Sequence, residues 1–397
     1  MQQVITAGQV LIGPARQRIR DGGVLVEDDT IVAVGDRREI EQQAGPAARH
    51  RHFPTTSTLL PGLINAHVHL CFDATPHFLE NLIQADDLDL LPGMAGRAQQ
   101  ALGSGVTTVR DLGDRSGLAI RLRDAIARGD LPGPRILASA PPLTIRDGHC
   151  HFLGGAVSGE AEIQERVRQN AALGADVIKV MASGGQITPD SPPMWASQFT
   201  GAELAIIVEE AANHGLPVAA HAHGTESIAA ATAAGVSTIE HCSWKGPDGP
   251  DRRDDVAKQM ADKGIHACTA LSRNWRALME RLGPAGTEEM YGRLVWLDEL
   301  GVPLIIGTDA GLPGSVFDDL PGTMELFDHL GFPLDQVLDM VTTASADALG
   351  IGDRVGRIRP GYDADLIVVE GDPLARLDDL RNLRLVLARG REFQPPG

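Results

Sequence analysis

The chain is poor in cysteine, in aromatic residues and in cations. Cys71, Cys150, Cys242 and Cys268 are its four cysteines, scattered and without a Cys-x-x-Cys pair. That excludes a disulfide scaffold and suits a reducing, cytoplasmic compartment. Aromatics make up 4% of residues, too few for a base-stacking surface. Lys and Arg number 35 against 53 Asp and Glu, a formal charge of −18. Such a balance argues against general affinity for nucleic acid or anionic membranes, though it leaves room for a local cationic pocket. No run approaches the roughly 18 apolar residues of a membrane span. Met1-Gln2-Gln3-Val4-Ile5 has neither a basic region nor a long apolar core, so no signal peptide is expected. Repeats of fixed period and low-complexity tracts are absent as well, which excludes solenoids and linkers of that kind.

What is present is an ordinary globular composition, 43% hydrophobic and 22% charged over 397 residues. The length suits two or three domains, or one barrel with an appendage. The first sixty or so residues read as β. Residues 23–35 are two apolar runs around the acidic turn Glu27-Asp28-Asp29, a hairpin signal. Strand-like runs return at 355–358, 364–369 and 385–388. Residues 1–58 and 350–397 are therefore expected to build one small β-sandwich domain from both ends.

Between them, apolar runs recur after glycine or proline at 63–67, 106–109, 135–138, 177–180, 217–221, 236–241, 265–268 and 302–307. Helix-period segments separate most of them. Thr200-Gly201-Ala202-Glu203 is a capping-box signature, followed by Leu204, Ile207, Val208 and Ala211 at helical spacing. Eight buried strands alternating with helices is the count of a (β/α)8 TIM barrel, expected over residues 59–349. An open doubly wound sheet also alternates, but no Gly-x-Gly-x-x-Gly follows the first run, which weakens its dinucleotide-binding version.

Polar residues at the ends of these runs carry the chemistry. His67 and His69 lie two apart, so in a strand both face one side and can grip one metal ion. His221 ends the fifth run, His241 the sixth and Asp309 the eighth. Each alone reads equally as an ordinary polar strand end. Together they put imidazoles and a carboxylate at the rim where barrel enzymes carry their catalytic groups. Lys179 sits inside the apolar run Val177-Ile178-Lys179-Val180-Met181. A buried lysine must be paired, neutral or modified. Either it meets a barrel carboxylate, or carbon dioxide converts it to a carbamate whose two oxygens can bridge two cations.

Five motifs carry a resemblance. They are Pro61-Gly62-Leu63-Ile64-Asn65-Ala66-His67-Val68-His69, Val177-Ile178-Lys179-Val180-Met181-Ala182-Ser183-Gly184-Gly185, His221-Ala222-His223-Gly224, Ile239-Glu240-His241 and Gly307-Thr308-Asp309-Ala310-Gly311. In order and spacing the set resembles the amidohydrolase superfamily. More narrowly it is similar to the imidazolonepropionase-like branch, which includes Xaa-Pro and Xaa-Arg dipeptidases and ochratoxin-hydrolysing amidases. The resemblance implies a two-metal site: His67, His69 and Asp309 on the more buried ion, His221 and His241 on the other, carboxylated Lys179 bridging. His223 falls where relatives often carry a substrate-touching tyrosine, and Asn65 replaces a more usual aspartate. Gly148-His149-Cys150-His151 resembles the family's Gly-Gly-His loop, with Asp147 in place of the first glycine. His149 and His223 are thus substrate-binding candidates. His151, Arg146, Trp195 and Arg273 join them as residues of expected active-face loops.

The chemistry expected is amide hydrolysis in a dipeptide or N-acyl amino acid through a metal-bridging hydroxide, with Asp309 as proton acceptor and donor. Imidazole and carboxylate donors suit zinc, with manganese, cobalt and iron also open. The substrate is a small carboxylate-bearing molecule. Many relatives are dimers or larger, which implies a homo-oligomer. Alternatives are a cyclic-amide hydrolase of the imidazolonepropionase kind, against which Lys179 speaks, and an organophosphate or ester hydrolase. A non-catalytic scaffold relative would have lost ligands, and here all six positions are filled.

Overall fold

The computed structural model describes residues 1–394. Strands from both chain ends share one sheet, in the order Arg391–Glu392, Leu383–Ala388, Leu366–Glu370, Ser57–Pro61, Gln2–Leu11, Arg18–Glu27, Thr30–Asp36, with Arg49–His52 also paired to Gln2–Leu11. The join between the two ends is antiparallel, with Leu59 opposite Val368. Its buried contacts are aliphatic and come from both ends, among them Ile5, Val24, Leu59, Leu366 and Leu387. The acidic turn closes the expected hairpin, with Glu27 opposite Thr30.

One expected strand does not form. Residues 355–358 are turn and loop. Gly356 takes φ +80°, and a Cβ there would collide with Ala346 and the Thr342 carbonyl, so the chain bends where a strand would continue. Val355 and Ile358 are buried all the same, which accounts for their apolar character.

The middle of the chain holds two parallel sheets. One runs Leu63–Val68, Val106–Asp111, Arg135–Ala138; the other runs Ile178–Met181, Val218–Gly224, Thr238–Gly246, His266–Cys268, Leu304–Ile305. Each of the eight apolar runs read from the sequence falls on one of these strands. They read as unbroken apolar runs because both faces are covered. Backbone hydrogen bonds bridge both seams: Leu143 N to Lys179 O (2.8 Å) on one side, Ala66 N to Ile306 O (3.1 Å) and Asp309 N to His67 O (2.9 Å) on the other. Helix Gly201–Asn213 opens on the capping box, Thr200 Oγ1 accepting from Glu203 N and Glu203 Oε2 from Thr200 N. Among the described residues no helix is long and apolar enough to cross a membrane. All four cysteines are free and buried.

Candidate metal centre

The polar residues singled out above converge at the C-terminal ends of the parallel strands. His67 lies in the first and His69 just past its end; Lys179, His221 and His241 lie in the fourth, fifth and sixth; Asp309 follows the eighth. Strand pairing is irregular at two of these points, between Asn65 and Val68 and between Ala222 and Gly224. Irregularities of this kind re-aim side chains. His241 and Asp309 also hold left-handed backbone, φ +64° and +55°. Such conformations cost about 1–3 kcal/mol and persist where the surroundings impose them.

His67 Nε2, His69 Nε2 and Asp309 Oδ1 form a triangle with edges of 3.3, 3.3 and 3.4 Å. The protons on this triangle can be assigned. His67 Nδ1 lies 2.8 Å from Glu240 Oε2, and His69 Nδ1 lies 3.2 Å from the Gly113 carbonyl oxygen. Both partners only accept, so each Nδ1 donates, and in the unprotonated form that metal ligation requires each Nε2 presents a lone pair. Three lone pairs pointed at one another repel unless a cation stands among them. Donors about 2.0–2.1 Å from one tetrahedral cation are about 3.3–3.4 Å apart, so the spacing fits.

A second group is His221, His223 and His241, whose donor atoms lie within 4.8 Å of one another. The rings of His223 and His241 stack at 4.5 Å, and His223 Nδ1 lies 2.9 Å from Ser243 Oγ. His223, expected to touch substrate, therefore sits among the donors. Burial with Lys179 pushes His67 down to about 4, against the pull of Asp309 and Glu240. Burial first, then neighbouring His149, lowers His223 to about 3. His221 and His241 are pushed well down by burial and by the surrounding imidazoles. These rings are neutral at pH 7, the form that binds metal. Burial works to raise Asp309, but His67, His69 and Lys179 outweigh it and hold the carboxyl at about 2.

Lys179 is 1% exposed. Its Nζ has no hydrogen-bond partner, and among the described residues no carboxylate comes within ion-pairing distance. Of the two readings of Lys179, the pairing with a barrel carboxylate is not found among the described residues. Glu240, the carboxylate whose charge acts most on Lys179, is taken by His67 and by Arg110 Nη2 at 2.8 Å. Burial above all depresses the Lys179 ammonium, which favours the neutral amine.

These residues line a cavity of about 150 Å³, together with His149, Gln186 and Met194 among others. His149 is buried, its Nδ1 3.2 Å from Thr188 Oγ1 and its backbone N–H donating to Gln198 Oε1 at 2.7 Å. Gln198 in turn donates to the Met181 carbonyl at 2.7 Å, which ties the His149 loop to the Lys179 strand. Four candidates do not line this cavity. Arg146 is exposed and pairs with Glu162, and Arg273 pairs with Asp319. His151 is exposed at a 3-10 turn, and Trp195 is 44% exposed, with its neighbour Met194 facing inward instead. Acidic partners on nearby elements draw the two arginines outward.

Sequence reasoning missed three supports. Glu240 and Arg110 form a buried pair behind His67. Asn65, noted above only as a departure from aspartate, donates to Thr308 Oγ1 at 2.8 Å and accepts from Thr308 N at 3.2 Å. It thereby ties the His67 strand to the Asp309 loop.

Parallel strands whose C-terminal ends carry neutral imidazoles and a carboxylate define an α/β enzyme equipped to hold metal ions. Comparison with known proteins gives the family. Residues 58–392 match the Amidohydrolase family. Ochratoxinase of Aspergillus niger is 28% identical over 99% of this chain and 87% of its own. Two solved structures superpose over nearly the whole of both chains at 26% identity. One is a Xaa-Pro dipeptidase with bound methionine in the active site (TM-score 0.85; 99% of this chain, 100% of that one). The other is a prolidase complexed with N-methylphosphonate-L-proline (TM-score 0.86; 100% of both). The chain belongs to the amidohydrolase family and is a hydrolase acting on carbon–nitrogen bonds.

Proposed function

We propose that this protein is a two-metal amidohydrolase that cleaves the amide bond of a dipeptide or N-acyl amino acid. The observation that carries the reading is the triangle of lone pairs from His67, His69 and Asp309, beside a buried Lys179 amine with no partner. His67, His69 and Asp309 would hold one ion, His221 and His241 the other, and Lys179, carboxylated by carbon dioxide with loss of a proton, both. Zinc suits this donor set. The named substrates of ochratoxinase, Xaa-Pro dipeptidase and prolidase relatives support an amide as the bond cleaved. The ring of eight strands supports a (β/α)8 barrel over residues 59–349, and the shared terminal sheet a β-sandwich domain from 1–58 and 350–397.

Bound divalent cations supply Lewis acidity, polarising the scissile carbonyl and acidifying the attacking water. Asp309, ionised at neutral pH, takes a proton from that water as oxygen adds to the acyl carbon. It then returns the proton to the leaving nitrogen as the carbon–nitrogen bond breaks, giving a carboxylic acid and an amine, which ionise to carboxylate and ammonium at neutral pH. Glu240 keeps the His67 proton on Nδ1, so that Nε2 stays available as a ligand. His149 offers a hydrogen bond to the substrate from the cavity wall.

The test is metal analysis of reconstituted protein alongside Lys179→Ala. About two equivalents of metal are expected in the wild type. The variant should lose activity and regain part of it with acetate or propionate, which mimic the carbamate. One equivalent at most, or a fully active Lys179→Ala protein, overturns the two-metal reading.

A further inference from the structure

A second cavity, of about 320 Å³, adjoins the first and shares His223 and His241 with it. Its wall includes Arg293 and Lys245, with Leu271, Leu282 and Met290 as apolar surface and Glu289 at the exposed edge. Arg293 is 4% exposed, which is rare for a guanidinium without a carboxylate. Among the described residues neither Arg293 nor Lys245 has an acidic group within 4 Å. Arg293 Nε has no hydrogen-bond partner, and its Nη2 reaches only the His241 carbonyl, at 3.5 Å. Leaving a buried charge without a counter-charge is expensive. The other arginine buried near the site, Arg110, has Glu240.

We infer that Arg293 and Lys245 form the binding site for the substrate's free carboxylate, with the apolar wall beside them taking an uncharged side chain on the leaving amino acid. This rests on the amidase reading and adds to it the substrate class: an N-acyl or N-aminoacyl amino acid with an apolar C-terminal side chain. An anion there supplies the missing counter-charge in a cavity that shares His223 and His241 with the metal-lined one. A guanidinium stays cationic at neutral pH.

The experiment uses metal-loaded wild type, Arg293→Met, Arg293→Lys and Lys245→Met. The substrates are alanyl-leucine, its C-terminal amide and alanyl-lysine. Calorimetry with leucine and leucinamide runs in parallel. Loss of a charge-assisted hydrogen bond should lower kcat/KM for alanyl-leucine by about 10- to 150-fold in Arg293→Met and Lys245→Met. The same variants should lose less than about threefold on the amide, and Arg293→Lys should fall between. Wild type should cleave alanyl-leucine at least about tenfold faster than alanyl-lysine, and should bind leucine but not leucinamide, with Lys245→Met losing that difference.

Equal losses on acid and amide, or a preference for alanyl-lysine, overturn the assignment. Should Arg293→Met fail to fold, Lys245→Met and Arg293→Lys carry the same comparison. If wild type cleaves none of the peptides, the amidase reading fails, and the leucine binding difference still decides the carboxylate site. If it cleaves them without distinguishing acid from amide, the carboxylate site fails and the amidase reading stands.

Discussion

Replacing Glu240 with Gln separates positioning from metal ligation. Glu240 is fully buried and touches no substrate cavity. It accepts from His67 Nδ1 and Arg110 Nη2, each at 2.8 Å, and Thr238 Oγ1 also donates to it. A glutamine has one accepting oxygen and one donating nitrogen. Whichever way it turns, His67 or Arg110 faces a donor. Breaking a buried ion pair costs about 3–5 kcal/mol. Arg110 keeps bonds to the Ala66 carbonyl (2.8 Å) and Thr238 Oγ1 (3.0 Å), so the lower end, about 3 kcal/mol, applies. Unfolding entropy of about 2.1 cal/mol/K per residue gives about 0.8 kcal/mol/K for a chain of 397 residues. The metal-free Tm should therefore fall by about 3–4 °C. Metal affinity should fall about 10- to 100-fold, because the His67 tautomer is no longer fixed. Differential scanning calorimetry of the metal-free protein reads the first quantity and chelator competition the second. A lower Tm with unchanged metal affinity would mean that Glu240 is only a fold support, and the positioning argument would be wrong.

Two further outcomes follow from the same geometry. A methyl group on Gly185 would overlap the His149 ring. Gly185→Ala should thus reduce kcat/KM at least about tenfold with metal content unchanged, and should add little to a His149→Ala background; additive losses would separate the two positions. Asp309→Asn cannot cycle a proton, so kcat should fall by about 10²–10⁴-fold while some metal is retained, and near-normal turnover in metal-loaded protein would remove the proton role.

The eight parallel strands were legible because each is covered on both faces and reads as a short apolar run bounded by glycine or proline. The hairpin and the capping box were legible because their signals are local. Residues 355–358 misled because burial, not strand pairing, made them apolar. Loop arginines were beyond reach for a different reason. Nothing local says that Arg146 turns to Glu162 or Arg273 to Asp319, 46 residues away. Arg293 was hidden in the second of two helices that meet at a kink at Gly283 within Trp275–Glu299, a segment whose sequence reads as ordinary surface. One signal was available there: it adjoins Tyr291, Leu294 and Leu297, a buried stripe at helical spacing. Glu240 could have been found by the reasoning used for Lys179. A carboxylate within an apolar strand run needs a buried partner, and Arg110 ends a run of the same kind.

The charge of the whole chain bears on the pocket. At −18 the protein repels an anionic substrate at long range, while Arg293 and Lys245 attract it only at the end of its path. Salt acts unequally on the two. The Debye length shrinks from about 30 Å at 0.01 M to about 8 Å at 0.15 M, which erases interactions between exposed charges far apart and hardly touches a buried contact. Raising ionic strength over that range should therefore increase kcat/KM for N-acetyl-leucine, which carries one negative charge, through faster encounter, and leave its uncharged C-terminal amide nearly flat. The effect should appear in kcat/KM and not in kcat, since chemistry within the cavity is shielded from the bulk ions. A fall in kcat/KM with salt would mean that the local cations already govern the approach and that the acidic surface lies away from the entrance.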